Sequence, residues 1–181
     1  MVTIGFIELN SIAKGIEAAD IVLKTAETEL LLSRPSCPGK FQILFSGEVA
    51  AVKASCEAAC KIAENFVVDS TVIPRVHEQV TQAIAQSTYP EDLRAIGVME
   101  FFTVTAAIYG ADAAAKASEV VLLDVRLGTG IGGKSFVVLT GEVAAVREAV
   151  AAGTKIAREE GLLIQEVVIP NPCPEVLEAL V

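Results

Sequence analysis

The chain of 181 residues repeats itself at the scale of a whole small domain. The segment Gly47–Val52 recurs without change as Gly141–Val146. Four further matches lie at a constant spacing of 92 residues: Ile4-Gly5 with Ile96-Gly97, Glu8 with Glu100, Ala19-Asp20 with Ala111-Asp112, and Lys24 with Lys116. This period exceeds the roughly 20 to 50 residues of solenoid and propeller repeats, so the sequence predicts a duplicated domain.

The two copies differ by small insertions. Gly39-Lys40 matches Gly133-Lys134 at a spacing of 94 residues, and Ile73-Pro74 matches Ile169-Pro170 at 96. Insertions of two residues belong in loops, which tolerate changes of length. We therefore place the first domain with its linker at residues 1–93 and the second domain at residues 94–181.

Each copy is predicted to contain strands and helices in the order β-α-β-β-α-β. Ile4–Leu9 reads as a short strand. A helix follows from Ser11 to Ala26, with Asn10 or Ser11 as its N-cap. The periodicity behind this helix is i, i+4, i+7 and i+11, which marks one helical face. The apolar residues at these positions are Ile12, Ile16, Ala19 and Leu23.

The rest of the copy completes a ferredoxin-like α+β unit. Two strands, Glu29–Arg34 and Lys40–Ser46, flank the segment Pro35–Gly39, which the prolines should keep out of a strand ladder because they lack an N–H. A second helix starts near Gly47, and Val67–Ile73 closes the unit. The Ile-Gly strand opens each copy and the Ile-Pro strand closes it, so the order is not circularly permuted.

Composition excludes several classes of function. Apolar residues make up 52% of the chain, more than two small domains can bury alone, which favours a large subunit interface. The net charge of −9 argues against a nucleic-acid partner. No apolar run approaches the roughly 20 residues of a membrane span, and no secretory signal is visible. We therefore expect a cytoplasmic protein with no membrane partner.

At this point the motifs resemble a known family, the tandem-domain trimeric shell proteins of bacterial microcompartments. The likeness is specific because the motifs occur in order and twice, over nearly the whole chain. In the first copy they are Ile4-Gly5-Phe6-Ile7-Glu8, Ala19-Asp20 with Lys24 and Ala26, Pro38-Gly39, Gly47-Glu48-Val49 with Ala51-Val52, and Ile73-Pro74-Arg75-Val76-His77. The second copy departs at its end, where Asn171-Pro172-Cys173 replaces the motif's Arg and His.

The resemblance implies a structural tile rather than an enzyme. Three chains would supply six similar domains, forming a pseudohexameric homotrimer with a central pore that joins other shell proteins in a facet. The implied inter-tile edge residues are Lys24, Lys116, Arg75 and His77. The implied pore-lining residues are Pro35, Ser36, Cys37, Pro38 and Gly39 in the first copy, and Thr129, Gly130, Ile131 and Gly132 in the second.

Cys37 is the sharpest candidate for chemistry. The segment Ser36–Lys40 is similar to the one that carries the ligand cysteine in the iron–sulfur-binding, propanediol-utilisation type of this family. With three chains around one axis, three thiolates would converge, and a cationic metal centre would relieve their repulsion. The resemblance thus implies a 4Fe-4S cluster shared at the trimer axis, for electron transfer to enclosed redox enzymes or for cluster delivery. The alternative is a pore cysteine without metal.

The other candidates favour structural roles. Cys56 and Cys60 lie four residues apart, but the counterpart of Cys56 is Val150, which suggests a small buried apolar side chain rather than a ligand pair. Cys173 is given no role. The repeated carboxylates, Glu8 with Glu100 and Asp20 with Asp112, lack an accompanying nucleophile or base, so structural hydrogen bonding or ion pairing is expected rather than catalysis.

Two alternative functions stay open from the sequence. One is a pore tile that conducts small molecules without a cluster, with the two loops setting what passes. The other is a soluble redox carrier or small-molecule regulator built from the same units. Assembly separates a tile from a carrier, because only a tile should form a trimer and join sheets with other shell proteins.

Overall fold

The computed structural model describes residues 2–88, 90, 93–173 and 175–178. These fall into two compact units, which we call unit 1 (Met1–Glu78) and unit 2 (Gln79–Val181). In unit 1 the elements are β1 (Val2–Leu9), α1 (Ile12–Thr25), β2 (Thr28–Ser36), β3 (Lys40–Gly47), α2 (Val49–Ala63), a short 3-10 turn (Glu64–Phe66) and β4 (Val67–Val76).

The same order recurs in unit 2. Its elements are α3 (Glu78–Ala85), which starts at the boundary, then β5 (Ala95–Phe101), α4 (Val104–Ala117), β6 (Val121–Leu127), β7 (Ser135–Thr140), α5 (Val143–Glu159), β8 (Leu163–Pro170) and α6 (Glu175–Glu178). The sheets have the orders β2-β3-β1-β4 and β6-β7-β5-β8, and all their pairings are antiparallel. This is the ferredoxin-like α+β arrangement predicted for each copy.

In unit 1 both helices pack on one face of the sheet. Ile7, Leu9, Phe41, Ile43 and Phe45 project from the strands into a core closed by α1 and α2. Of the two predicted N-cap candidates, Ser11 caps α1, since its Oγ accepts a hydrogen bond from the Lys14 N–H at 3.3 Å. Thr103 caps α4 in the same way.

The face of α1 that packs against the sheet is lined by small residues, and not by the large apolar residues of the helix. The buried residues are Gly15, Ala18, Ala19 and Val22. Ile12, Ile16 and Leu23 are exposed, Ile16 by 60%. Close packing explains the difference, because a Cβ at Gly15 would lie 2.3 Å from the Phe41 ring. Small residues let α1 approach the sheet, and an apolar stripe is left outside the core.

The segment from Gln79 to Thr88, which belongs to unit 2, is hydrogen-bonded to the rest of that unit. Gln79 Nε2 donates to the carbonyl of Val120 at 3.2 Å, and its Oε1 accepts from the Leu122 N–H at 2.9 Å. The Thr88 N–H donates to the Leu123 carbonyl. These bonds attach residues 79–88 to strand β6, whereas the division drawn from the repeat counted residues 79–93 with the first domain. Tyr89, Glu91 and Asp92 of the linker lie outside the described residues.

An ion pair anchors the β2–β3 and β6–β7 hairpins to the central strand of each sheet. Lys40, the first residue of β3, lies 2.7 Å from Glu8 on β1. In unit 2 the matching residues, Lys134 and Glu100, lie 3.1 Å apart. The ion pairing expected for the repeated glutamates is thus confirmed. The first pair is the more buried, with the Glu8 side chain 7% exposed and that of Glu100 36%.

The difference in burial predicts that the two ion pairs contribute unequally to the free energy of unfolding. Lys40→Met keeps the aliphatic stem but leaves the buried Glu8 carboxylate unpaired, and we expect it to lower the free energy of unfolding by about 3 kcal/mol. Lys134→Met, the matched control, should cost less than about 1 kcal/mol because its partner is partly solvated. Urea denaturation of both variants measures the contrast. Equal losses would contradict this account of the anchor.

The close approach of the α4 and α5 backbones predicts a second position at which substitution lowers stability. A Cβ at Gly153 on α5 would lie 2.7 Å from the carbonyl oxygen of Gly110 on α4. We expect Gly153→Ala to destabilise unit 2 by about 1–3 kcal/mol because the two helices must separate. Ala151→Val on the exposed side of α5 is the control, and should change stability by about 0.5 kcal/mol. Thermal unfolding that ranks the control as the more damaging change would refute the close contact.

Candidate functional site

The antiparallel register gives the sheet of unit 1 two chemically different ends. At one end, which we call the hairpin end, Ser36 pairs with Lys40 and Leu9 pairs with Phe41. At the other, which we call the opposite end, Thr28 pairs with Gly47. Strand β4 also finishes at the opposite end, where Val76 pairs with Val2. Cys37 lies at the hairpin end, while Lys24, Arg75 and His77 lie at the opposite end.

Cys37 opens a three-residue turn. The turn is Cys37-Pro38-Gly39, and Gly39 adopts a φ of 76°, in the left-handed region that suits glycine. Cys37 is half-buried, and Pro38 and Gly39 are exposed. The segment predicted as a loop is shorter than expected, because β2 continues through Pro35 and Ser36. Since β2 is an edge strand, Pro35 can take a place in it without leaving a neighbouring carbonyl unpaired.

The hairpin of unit 2 has a longer, glycine-rich turn. It runs from Gly128 to Gly133 between β6 and β7. Four of its residues have positive φ values, 63° at Gly128, 79° at Gly130, 68° at Gly132 and 85° at Gly133. Thr129 and Gly130 are exposed, and Ile131, the counterpart of Cys37, is half-buried. This loop therefore offers small, uncharged surface and no thiol.

A polar row beside the Cys37 hairpin was missed by the sequence analysis. Arg34 pairs with Gln42, and Gln42 pairs with Glu8, so their side chains share the sheet face away from the helices. Gln42 is fully buried, and neither of its amide atoms has a partner among the described residues. The counterpart in unit 2 is Phe136, beneath the Arg126 guanidinium. A comparison of the two copies at this position would have indicated the polar row, because a glutamine in one copy stands where the other has a phenylalanine.

The candidate edge lysines both lie near the C-terminus of a helix. Lys24 on α1 lies 2.6 Å from Asp20, and Lys116 on α4 lies 2.5 Å from Asp112. The ion pairing expected for these aspartates is confirmed. Lys24 is the more exposed of the two lysines. Each lysine ends its helix at the opposite end of its own sheet, away from the hairpin.

Arg75 and His77 follow at the close of β4. Arg75 is exposed and has a φ of 55°, and its counterpart Asn171 has a φ of 47°. A non-glycine residue in this region is uncommon, and its recurrence in both units marks a repeated sharp bend after the Ile-Pro pair. His77 is half-buried. Cys173, in the place of that histidine, is exposed.

An open acidic cleft occupies the opposite end of unit 1. Its charged lining residues are Glu27, Glu29, Glu48 and Arg75, with the start of α2 beneath them. With three carboxylates against one guanidinium, the charged side chains of the cleft carry a net negative charge, which favours a cationic group over an anionic one.

The remaining cysteines fall into two environments. Cys56 is buried in the core, as expected from its apolar counterpart Val150. The hydrogen bond with Cys60 and burial raise the pKa of Cys56. The same bond from Cys56 lowers the pKa of Cys60 to about 6, against the opposing effect of burial, and a bond from Ser70 adds to the lowering. All four cysteines lie among the described residues, and none is in a disulfide.

The part of one chain that the structure describes does not assemble a three-ligand metal site by itself. Among the described residues, no three His, Cys, Asp or Glu side chains converge. None of the helices in the described ranges is long and apolar enough to cross a bilayer. Cys37 can therefore contribute one thiolate at an exposed turn, and any shared metal centre there would need further copies of the chain.

Comparison with known proteins connects both units to one family. The BMC domain model matches residues 3–76 and 95–172. The chain is 43% identical to the microcompartment shell protein PduT of Citrobacter freundii, over 93% of this chain and 92% of that protein. It is 27% identical to the carboxysome assembly protein CcmO of Synechococcus elongatus, over 98% of this chain and 68% of that protein.

Solved structures agree with this relationship. A microcompartment protein from Desulfitobacterium hafniense superposes with a TM-score of 0.94 and 47% identity, covering 98% of this chain and 99% of that one. A fused permuted hexameric shell protein from the RMM microcompartment shares the fold, with a TM-score of 0.65 and 23% identity over 87% of this chain and 84% of that one. The chain is therefore a bacterial microcompartment shell protein, a member of the BMC domain family with two domains in tandem.

Proposed function

We propose that this chain is a non-enzymatic facet tile, in which three copies form a pseudohexameric ring with a central pore. The observation that carries the proposal is the two-ended sheet, found in each unit, with the turn at one end and the lysine-bearing helix terminus at the other. A ring of such units can turn every hairpin toward the axis and every opposite end toward the rim. The chain's membership of a family of microcompartment shell proteins supports this arrangement of the hairpins and the opposite ends.

The exposed apolar surface supports association of copies. On α1 the uncovered residues are Ile12, Ile16 and Leu23, and in unit 2 Phe102, Tyr109 and Ile156 are likewise exposed. Side chains of this size gain about 1.5–3 kcal/mol each when they are fully withdrawn from water. Contacts between neighbouring units would remove them from solvent.

Contacts between tiles would use the opposite ends. The rim would present Lys24, Lys116, Arg75 and His77. A lysine of a neighbouring tile fits the acidic cleft in charge, since the cleft carries Glu27, Glu29 and Glu48. Other shell proteins of the same facet are then the partners at this edge.

The pore would be lined by alternating hairpins of two kinds. Those of unit 1 bring Cys37 with Pro38 and Gly39, and those of unit 2 bring Thr129 and the neighbouring glycines. Ser36, which the sequence also predicts at the pore, ends β2 and is buried within its unit. We propose that three Cys37 thiolates, one from each chain, hold a 4Fe-4S cluster at the axis. Thiolate sulfur is the usual ligand of such clusters, and the half-buried turn position leaves Cys37 accessible to a shared centre.

Bound there, the cluster would take up and release single electrons, which suits electron transfer across the shell to enclosed redox enzymes. Alternatively, the cluster itself would be delivered to those enzymes. The chain's own contribution is to fix the turn. Lys40 begins β3 and is held by Glu8, so the residues that follow the turn are anchored to the central strand. Without a cluster the same ring would conduct small molecules, and the small, uncharged Gly128–Gly133 loop favours that second function.

Cluster binding is tested by metal analysis. We expect anaerobically purified protein to contain iron and sulfide at about one cluster per three chains, with visible absorption, and Cys37→Ser to lose both. Cys173→Ser, another cysteine outside the core, is the matched control and should keep them. Well-folded anaerobic protein without iron would remove the cluster and leave the conducting pore.

Tile assembly has its own test. Lys116→Glu should abolish sheet or tube formation with other shell proteins, because the new carboxylate stands beside Asp112 and repels acidic surface at the rim. Lys155→Glu on the exposed face of α5 makes the same change of charge away from the rim. Electron microscopy of both variants gives the readout. Unchanged sheets in Lys116→Glu would exclude this lysine from the edge contact, and a monomeric wild-type protein in sedimentation would exclude the tile.

A further inference from the structure

The hairpin of unit 1 carries an arginine that has no counter-ion in the described part of the chain. Arg34 lies on β2 opposite Gln42 of β3, three residues before Cys37. It is half-buried, its Nε is buried without a hydrogen-bond partner, and no ion pair involves it among the described residues. Charged groups that are partly withdrawn from water are ordinarily paired. This guanidinium is therefore open to an anion.

Unit 2 shows what an arginine at this position binds. Arg126 occupies the equivalent place 92 residues later, opposite Phe136 of β7. Its Nη2 and Nε donate to one carboxylate oxygen of Asp124, at 2.8 and 3.1 Å. Its guanidinium also lies over the Phe136 ring, 5.9 Å from the centroid. The equivalent arginine is thus held within its own unit, and its charge is balanced by a carboxylate.

Two sequence differences between the copies leave Arg34 without these contacts. Leu32 stands in unit 1 where Asp124 stands in unit 2, each two residues before the arginine. Gln42 stands in place of the phenylalanine, and its buried amide makes no hydrogen bond to the guanidinium. The unbalanced charge is therefore a property of unit 1 and not of the fold.

The other charged groups on this face of the sheet do not balance Arg34. Lys40, the second cation of the hairpin, lies 2.7 Å from Glu8, so that pair is neutral as a whole. Asp69 is opposite Glu8 on β4. Strand β4 is three strands from β2, and neighbouring strands lie about 4.8 Å apart, so Asp69 is roughly 14 Å away across the sheet. Near the turn, this face carries one net positive charge.

We propose that Arg34 selects anions at the Cys37 hairpin, and that the solutes it favours are small carboxylates. A carboxylate is the group that the equivalent arginine binds in unit 2. A guanidinium also matches a carboxylate in shape, with two parallel N–H donors. Arg34 lies about 10 Å along the extended strand from Cys37, a distance over which its charge acts at low ionic strength. An anion that approaches the turn is attracted, and a cation is repelled.

The consequence for the pore rests on the proposed function. In the proposed ring, three copies of Arg34 would surround the pore on the sheet face away from the helices. Like charges around a narrow opening reinforce one another, so a pore without a cluster would pass small carboxylates in preference to cations. The Gly128–Gly133 loops would set its width, and Arg34 its charge selectivity.

Alkylation of Cys37 by two reagents of similar shape tests the proposal. Iodoacetate carries a carboxylate and iodoacetamide is its neutral analogue, and both form an S–C bond while iodide leaves. Chelator-treated, iron-free protein receives both reagents together. The tryptic peptide of residues 25–40 contains Cys37 as its one cysteine, and that of residues 159–181 contains Cys173. The ratio of charged to neutral product cancels any change in the reactivity of the thiol itself.

The expected results separate charge from other effects. At about 0.01 M salt the ratio should be higher at Cys37 than at Cys173, and this difference should disappear at about 1 M, where the Debye length is about 3 Å. Arg34→Gln should lower the ratio at Cys37 at least about twofold, as expected for one charge 10 Å away in water. Arg34→Lys should retain it. Leu32→Asp, which copies the carboxylate of unit 2, should lower it with Arg34 in place.

Lys53→Gln is the matched control. It removes the same charge from the exposed side of α2, away from the hairpin, and should leave the ratio at Cys37 unchanged. An unchanged ratio in Arg34→Gln, or an equal loss in Lys53→Gln, would overturn the proposal. So would equal ratios at Cys37 and Cys173 in wild-type protein at low salt, a measurement that needs no variant.

Failure of the proposed function would look different. A monomeric protein in sedimentation, or anaerobic protein without iron, would remove the ring or the cluster. The alkylation ratios are measured on iron-free protein and compare residues of one hairpin, so they would still decide whether Arg34 selects anions at Cys37.

Discussion

The organisation of this protein depends on the antiparallel pairing of one central strand in each unit. Strand β1 pairs with β3 and β4, and β5 pairs with β7 and β8, so both ends of each sheet are fixed by the register. Antiparallel pairing sends the hairpin turn to one end and the N-terminus of the central strand to the other. Every candidate site in the chain takes its position from that division.

Duplication then allows the two units to differ in chemistry on one frame. Unit 1 carries a thiol in its hairpin where unit 2 carries Ile131 among glycines, and it buries Gln42 where unit 2 has the half-buried Phe136. On the helix side, the Cys56–Cys60 pair stands where unit 2 has Val150, Thr154 and an ion pair between Arg158 and Glu166. A chain with two copies can keep the packing rules in both and place thiols or buried polar groups in only one.

Much of this could be predicted from the sequence, and the failures have specific causes. The element order, the Ser11 cap and the ion pairs of Glu8 and Asp20 followed from periodicity, capping chemistry and the repeat. The buried face of α1 did not follow, because helical periodicity groups residues on faces without saying which face meets the sheet. Pro35 was read as ending a strand, whereas an edge strand accepts proline, and only the strand order shows which strand is at the edge.

By itself, the sequence determined that the chain is a duplicated α+β domain of the shell-protein type. The repeat is visible by aligning the chain with itself, and the capping, turn and periodicity signals of each element lie within a few neighbouring residues. The tertiary structure decided which groups become neighbours across long separations. It brought Lys40 to Glu8, and it brought the hydroxyl of Ser55 on α2 to the carbonyl of Val22 on α1. Strand register and the packing of helices on the sheet fix such contacts, and no local pattern in the chain encodes either of them alone.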